Sequence, residues 1–149
     1  MAAVFVLQWL LQVPAHTAAH AAAAGPWAVP DPGALTFSLG GALVPDTVRL
    51  PALAADDRPM DQRLDAAETT YRAVAEPLAE HYDAPVRLGP HVRAGLVTDM
   101  WAAARREAQA AAGTLDTGPA TRRSCCLIYA LPGCTECAGC PRLHRAPGR

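Results

Sequence analysis

Five cysteines, Cys125, Cys126, Cys134, Cys137 and Cys140, lie within sixteen residues near the end of a 149-residue chain, and no other cysteine occurs. Disulfide-bonded folds spread paired cysteines so as to close long loops, so an odd number at this density is a poor disulfide framework. Clustered thiols point instead to a metal in a reducing compartment. The same cluster limits how this part of the chain can fold. Residues 114–149 have no helical or strand periodicity and no core of their own, so a bound group rather than hydrophobic burial must order them.

The preceding residues read differently. Residues 3–24 are good helix formers with an apolar face through Phe5, Trp9 and Leu10; Pro14 is expected to kink or restart this helix, and Gly25-Pro26 ends it. Residues 26–33 are loop-like in composition. Leu35–Leu39 and Ala42–Val44, with Val48 and Leu50 beyond, flank Gly40-Gly41 and predict a small hairpin over about 34–50. Residues 52–59 are acidic and irregular. Leu64, Ala67, Tyr71, Val74 and Leu78 then mark an amphipathic helix that Pro77 is expected to divide, its acids forming the wet face. A further helix follows Gly89-Pro90, with Leu96, Val97, Met100, Trp101, Ala104, Ala108 and Ala111 inward and Gly113 as its stop. The expected fold is a mainly helical α+β body over 1–113 with a small β-hairpin, followed by a C-terminal loop-rich cysteine module over 114–149. Aromatics make up only 5% of the chain, so the core should be rich in alanine and lean in rings.

Charge narrows the function. The formal net charge is −1, which argues against a nucleic-acid partner, since phosphate binding needs positive charge collected on one face. Residues 117–149 are nevertheless locally basic, with Arg122, Arg123, Arg142, Arg145 and Arg149 against Glu136 alone. The apolar run Val4–Leu11 superficially resembles a secretory leader. No Lys or Arg precedes it, and Gln8, Gln12, Pro14, His16 and His20 interrupt it, so it reads as a packed helix of a cytoplasmic protein with no transmembrane span.

In the cysteine module, Cys125-Cys126 is followed after ten residues by Cys137 and then, two residues on, by Cys140. Four thiolates suit a 2Fe-2S cluster and a structural zinc equally, and the two-residue gap lets one turn aim two sulfurs at one centre. Adjacent cysteines need a bent backbone to serve one site, because neighbouring side chains in an extended segment point apart. Pro132-Gly133 supplies a chain reversal between the two halves.

Arg122-Arg123-Ser124-Cys125-Cys126-Leu127-Ile128-Tyr129, Leu131-Pro132-Gly133 and Cys137-Ala138-Gly139-Cys140 resemble the C-terminal iron-sulfur motif of the FhuF-like ferric-siderophore reductases. Upstream, the Leu-Gln-Trp helix at 7–9, Pro77-Leu78 and the Trp101 helix look like landmarks of actinobacterial members. The resemblance implies that Cys125, Cys126, Cys137 and Cys140 bind a 2Fe-2S cluster that passes one electron to the iron(III) of a ferric siderophore. Hard oxygen chelates hold iron(III) better than iron(II), so reduction loosens the metal. Cys134 is a fifth thiol outside that motif, and Cys134, Cys137 and Cys140 form a two-residue-spaced triplet that is an alternative ligand set. Members of the family are commonly longer at the N-terminus, which implies that this chain is shortened there.

Arg122 and Arg123 are candidates for raising the cluster potential or attracting an anionic chelate, with ordinary solvated arginines as the alternative. His144 reads as an exposed tail residue; His16, His20, His81 and His91 read as scattered, without ligand spacing. Trp9 and Trp101 read as core. The sequence holds no glycine-rich nucleotide loop, so the electrons must come from an external donor, a protein or a small reductant. The competing function is a non-catalytic iron-sulfur or structural zinc module with a regulatory or interaction role.

Overall fold

The computed structural model describes residues 3–40, 45–84, 87–114, 122–125, 129, 132–136 and 139–143. Among them are three helices, α1 (Ala3–Ala24), α2 (Met60–His81) and α3 (Pro90–Ala111), and four short strands, β1 (Trp27–Ala28), β2 (Thr36–Leu39), β3 (Pro45–Arg49) and β4 (Ala54–Ala55). The fold is mainly helical with small β pairings and a cysteine-bearing C-terminal region, as the sequence led us to expect.

Each helix buries one stripe. On α1 the buried positions Val4, Leu7, Leu11, Ala15, Ala18 and Ala22 recur at three- and four-residue intervals, and α3 repeats the pattern with Val97, Met100, Trp101, Ala104 and Ala108. Alanine at so many of these positions lets the helices approach closely, so few large side chains are needed to fill the core. Tyr71 of α2 and Trp101 of α3 are the exception, stacked with ring centroids 5.5 Å apart. The Tyr71 hydroxyl donates to the Val97 carbonyl at 3.2 Å, and burial pushes its ionisation above the ordinary phenol range, so it remains a donor.

Long-range bonds fix the helix directions. Arg63, early in α2, donates to the Ala22 carbonyl at the end of α1 (2.8 Å). Along α2, Asp65 pairs with Arg105, Tyr71 with Trp101, and Ala79 with Arg93, so rising numbers in one helix meet falling numbers in the other. The second helix is therefore antiparallel to its two neighbours, and α1 and α3 run in the same direction. All three pack on one another, α1 against α3 most extensively.

Both internal prolines were expected to interrupt their helices, and neither does. The first helix runs unbroken through Pro14, which is buried in the α1 stripe, and packing there offsets the roughly 3 kcal/mol that an interior proline costs. The second continues through Pro77, which with Ala73 lies on the exposed side, where water can satisfy the carbonyl that loses its donor. The hairpin pairs β2 with β3, Phe37 facing Val48 and Thr36 facing Arg49, with an irregularity between Ser38 and Leu39. The described part of its second strand starts at Pro45, and the expected segment Ala42–Val44 falls on residues outside the described set. Two segments read as irregular also pair, Trp27 with Ala55 and Ala28 with Ala54.

Polar N-caps are missing from α2 and α3: Pro59 and Gly89 occupy those positions and make no side-chain bond. An arginine closes the other end of α2. Arg93 donates to the carbonyls of Ala79 (2.5 Å), Tyr82 (2.9 Å) and Leu88 (3.0 Å), satisfying acceptors that a helix C-terminus leaves unpaired. Arg93→Ala should therefore cost about 2 kcal/mol. By contrast, Arg105→Ala removes only a largely exposed ion pair with Asp65 and should cost less than about 1 kcal/mol. Chemical denaturation followed by circular dichroism separates the two, and equal losses would contradict the capping role.

Candidate metal centre

The cysteine segment is anchored on α3. Asp99 lies on the buried side of that helix at 5% exposure, between the apolar Val97 and Met100. Its carboxylate is satisfied entirely by the segment that leads into the first cysteines. One oxygen accepts from the Arg123 backbone N–H (2.8 Å); the other accepts from the Ser124 N–H (2.7 Å) and hydroxyl (2.5 Å). Three bonds to a buried carboxylate fix the backbone immediately before Cys125, and charge assistance makes them strong.

Gly95, one turn earlier on α3, makes room for this contact. A Cβ at that position would stand 2.8 Å from the Ser124 Cβ, closer than non-bonded carbons approach. Arg122 extends the anchor to α1, with its guanidinium 3.4 Å from the Gln8 amide oxygen and 4.0 Å from Asp99. Its backbone N–H also donates to the Gly139 carbonyl at 3.3 Å, which joins the chain ahead of Cys125 to the chain ahead of Cys140.

The result is a pair of sulfurs. Cys125 Sγ and Cys140 Sγ lie 4.0 Å apart, with Cys140 buried and Cys125 half-buried. A disulfide would bring them to about 2.05 Å. Two thiolates on one tetrahedral metal at about 2.3 Å stand about 3.8 Å apart, close to the observed separation, which an S–H···S contact also gives. Gly133 adopts φ 77°, a left-handed conformation that favours glycine, and so makes the reversal expected at Pro132-Gly133. Arg142 holds the return limb: its guanidinium lies 4.2 Å from the Tyr129 ring centroid, bonds the Tyr129 hydroxyl at 3.0 Å and approaches Glu136 at 3.8 Å. Cys134 is exposed, and Cys126 and Cys137 lie outside the described residues.

The surroundings suit an anionic group. Four thiolates carry more negative charge than either a zinc ion or a 2Fe-2S core neutralises. The Arg122 Nε–H is buried without a hydrogen-bond partner among the described residues, so a cationic donor three residues from Cys125 is not fully used. Arg123, by contrast, is anchored through its backbone while the residue itself is exposed. Of the residues named from the sequence, Cys125, Cys140 and Arg122 are brought to one place. Asp99, Gly95 and Arg142 were not foreseen; for Asp99 the available signal was a lone acid within the apolar run Leu96, Val97, Met100, Trp101.

Residues 122–142 match the FhuF 2Fe-2S C-terminal domain. The segment is similar to that domain, which is a 2Fe-2S binding domain. The match begins at the arginine that contacts Gln8 and ends at the one that stacks on Tyr129, and it includes none of the three helices. No curated protein and no solved structure matches the chain.

Asp99→Ala removes the acceptor for three donors, two of them backbone amides. Each buried donor left unpaired costs about 1–3 kcal/mol, enough to detach the 122–125 segment locally. Hydrogen exchange should become much faster at Arg123 and Ser124 while protection in α2 is retained; unchanged exchange at those two amides would refute the anchor.

Proposed function

We propose that this chain is a one-electron reductase of ferric siderophores, built on a 2Fe-2S cluster held by Cys125, Cys126, Cys137 and Cys140. The observation that carries the proposal is the FhuF match over 122–142, supported by the Cys125–Cys140 sulfur pair within the matched segment. Once reduced by an external donor, protein or small molecule, such a cluster supplies one electron to chelated iron(III), and the weakly held iron(II) leaves its hard oxygen ligands.

The chain's own residues set the conditions for that exchange. Asp99 and Gly95 hold Cys125 against a rigid helix, which keeps the ligand geometry the same in both oxidation states and limits reorganisation. Arg122 brings positive charge to the site, favouring the reduced form, while its approach to Asp99 tempers that charge. Exposed Arg123 is available to an anionic chelate, as befits the basic balance of residues 117–149. Exposed Cys134 is left outside the ligand set. The groove between α2 and α3, about 510 Å³, includes no residue of the cysteine segment in its lining, so we place the chelate at the Arg123 side instead. Clustered cysteines favour a cytoplasmic setting; no described helix is long and apolar enough to cross a membrane.

The test is chemical. Anaerobically purified protein should contain about two iron and two sulfide per chain and absorb in the visible, bleaching with dithionite. Cys137→Ser should abolish both properties and Cys134→Ser neither. The reduced protein should regain its colour when mixed with a ferric hydroxamate, with iron(II) appearing in equal amount. A colourless protein with one zinc would sink the proposal and leave a structural or regulatory module. A cluster that ferric chelates do not reoxidise would keep the cofactor and reject the reductase.

A further inference from the structure

A second group of metal-ligating side chains lies on the same two helices. His16 and His20 are one turn apart on α1 and present their rings on one side, with centroids 6.1 Å apart. The parallel course of α3 brings Glu107 to that side, its carboxylate 3.4 Å from His16 Nδ1. One donor atom from each of the three residues falls within a 4.8 Å span.

We infer that His16, His20 and Glu107 form a binding site for a divalent transition metal ion of the zinc or iron(II) kind, with at least one coordination position open. Two imidazoles and one carboxylate are a ligand set for such ions, and three protein ligands leave room for water or another small ligand. Around a tetrahedral ion with bonds of about 2.1 Å, donor atoms stand about 3.4 Å apart. The His16–Glu107 pair already has that separation. The remaining closure, of up to about 1.4 Å, falls on His20 and on Glu107, whose side chain is 64% exposed.

One further observation favours a metal over a plain ion pair. His16 lines a cavity of about 250 Å³ together with Trp9, Gln12 and Val48, which gives an open coordination position space for a ligand. The site is separate from the cysteines. Gln8 and Asp99, which meet the cysteine segment, precede His16 and Glu107 by eight residues on their helices, or about 12 Å of axial rise.

Titration calorimetry with Zn2+, on the purified protein with its cysteine site loaded, tests the assignment. One equivalent should bind, and His20→Gln and Glu107→Gln should each weaken it at least about tenfold, whereas His81→Gln on α2 should not. Both substituted positions are at least partly solvent-exposed, and circular dichroism should show intact helices in both variants. Absence of zinc binding, or binding that neither substitution weakens, would overturn the assignment and leave His16 and Glu107 as a hydrogen-bonded pair only.

Discussion

The cysteine segment depends on a single buried carboxylate. Among the described residues of 122–143 only Ser124 and Cys140 are buried, so apolar burial does little there to keep Cys125 in a fixed place. Asp99 supplies the constraint: it is out of water, and its acceptors are met by the Arg123 and Ser124 amides and the Ser124 hydroxyl. A buried acid without partners would be expensive, and an undocked segment would leave its amides to water; docking satisfies both at once. Gly95 is the steric half of the arrangement, since any side chain there would occupy the space taken by Ser124. The helical bundle therefore positions Cys125, even though no helix contributes a cysteine.

Charge is arranged around that anchor in layers. Arg122 approaches Asp99 and Gln8 and retains a buried donor with no partner among the described residues, close to where four thiolates would gather negative charge. Further out, Arg142 uses stacking on Tyr129 and its approach to Glu136 to close the return limb carrying Cys140. Between them these contacts tie the described parts of the cysteine segment to α1, to α3 and to one another.

Much of this was legible in the sequence, for identifiable reasons. The three helices follow from apolar residues at three- and four-residue intervals, and the 2Fe-2S expectation from the family resemblance at the cysteine segment, where the domain match over 122–142 falls. Pro14 and Pro77 misled because local propensity was set against packing and solvent access that the sequence does not display. The β1–β4 pairing joins two-residue segments 27 positions apart, too short to leave a periodic pattern. Asp99 was hidden because its partners are backbone amides more than twenty residues away, which no side-chain motif records. His16 and His20 were read as unrelated although four residues is a helical ligand spacing; Glu107, from another helix, turns the spacing into a site.

The central claim is that a helix-borne carboxylate holds an iron-sulfur ligand loop in place, and the rate of cluster loss tests it most directly. Cluster-loaded wild-type protein and Asp99→Ala would be exposed anaerobically to an iron(II) chelator with dithionite, and iron release followed by absorbance. The account predicts that the variant loses its iron many times faster while its helical content is unchanged. Identical release rates in the two proteins would show that the cysteine segment holds its metal without the helix, and the account would be wrong.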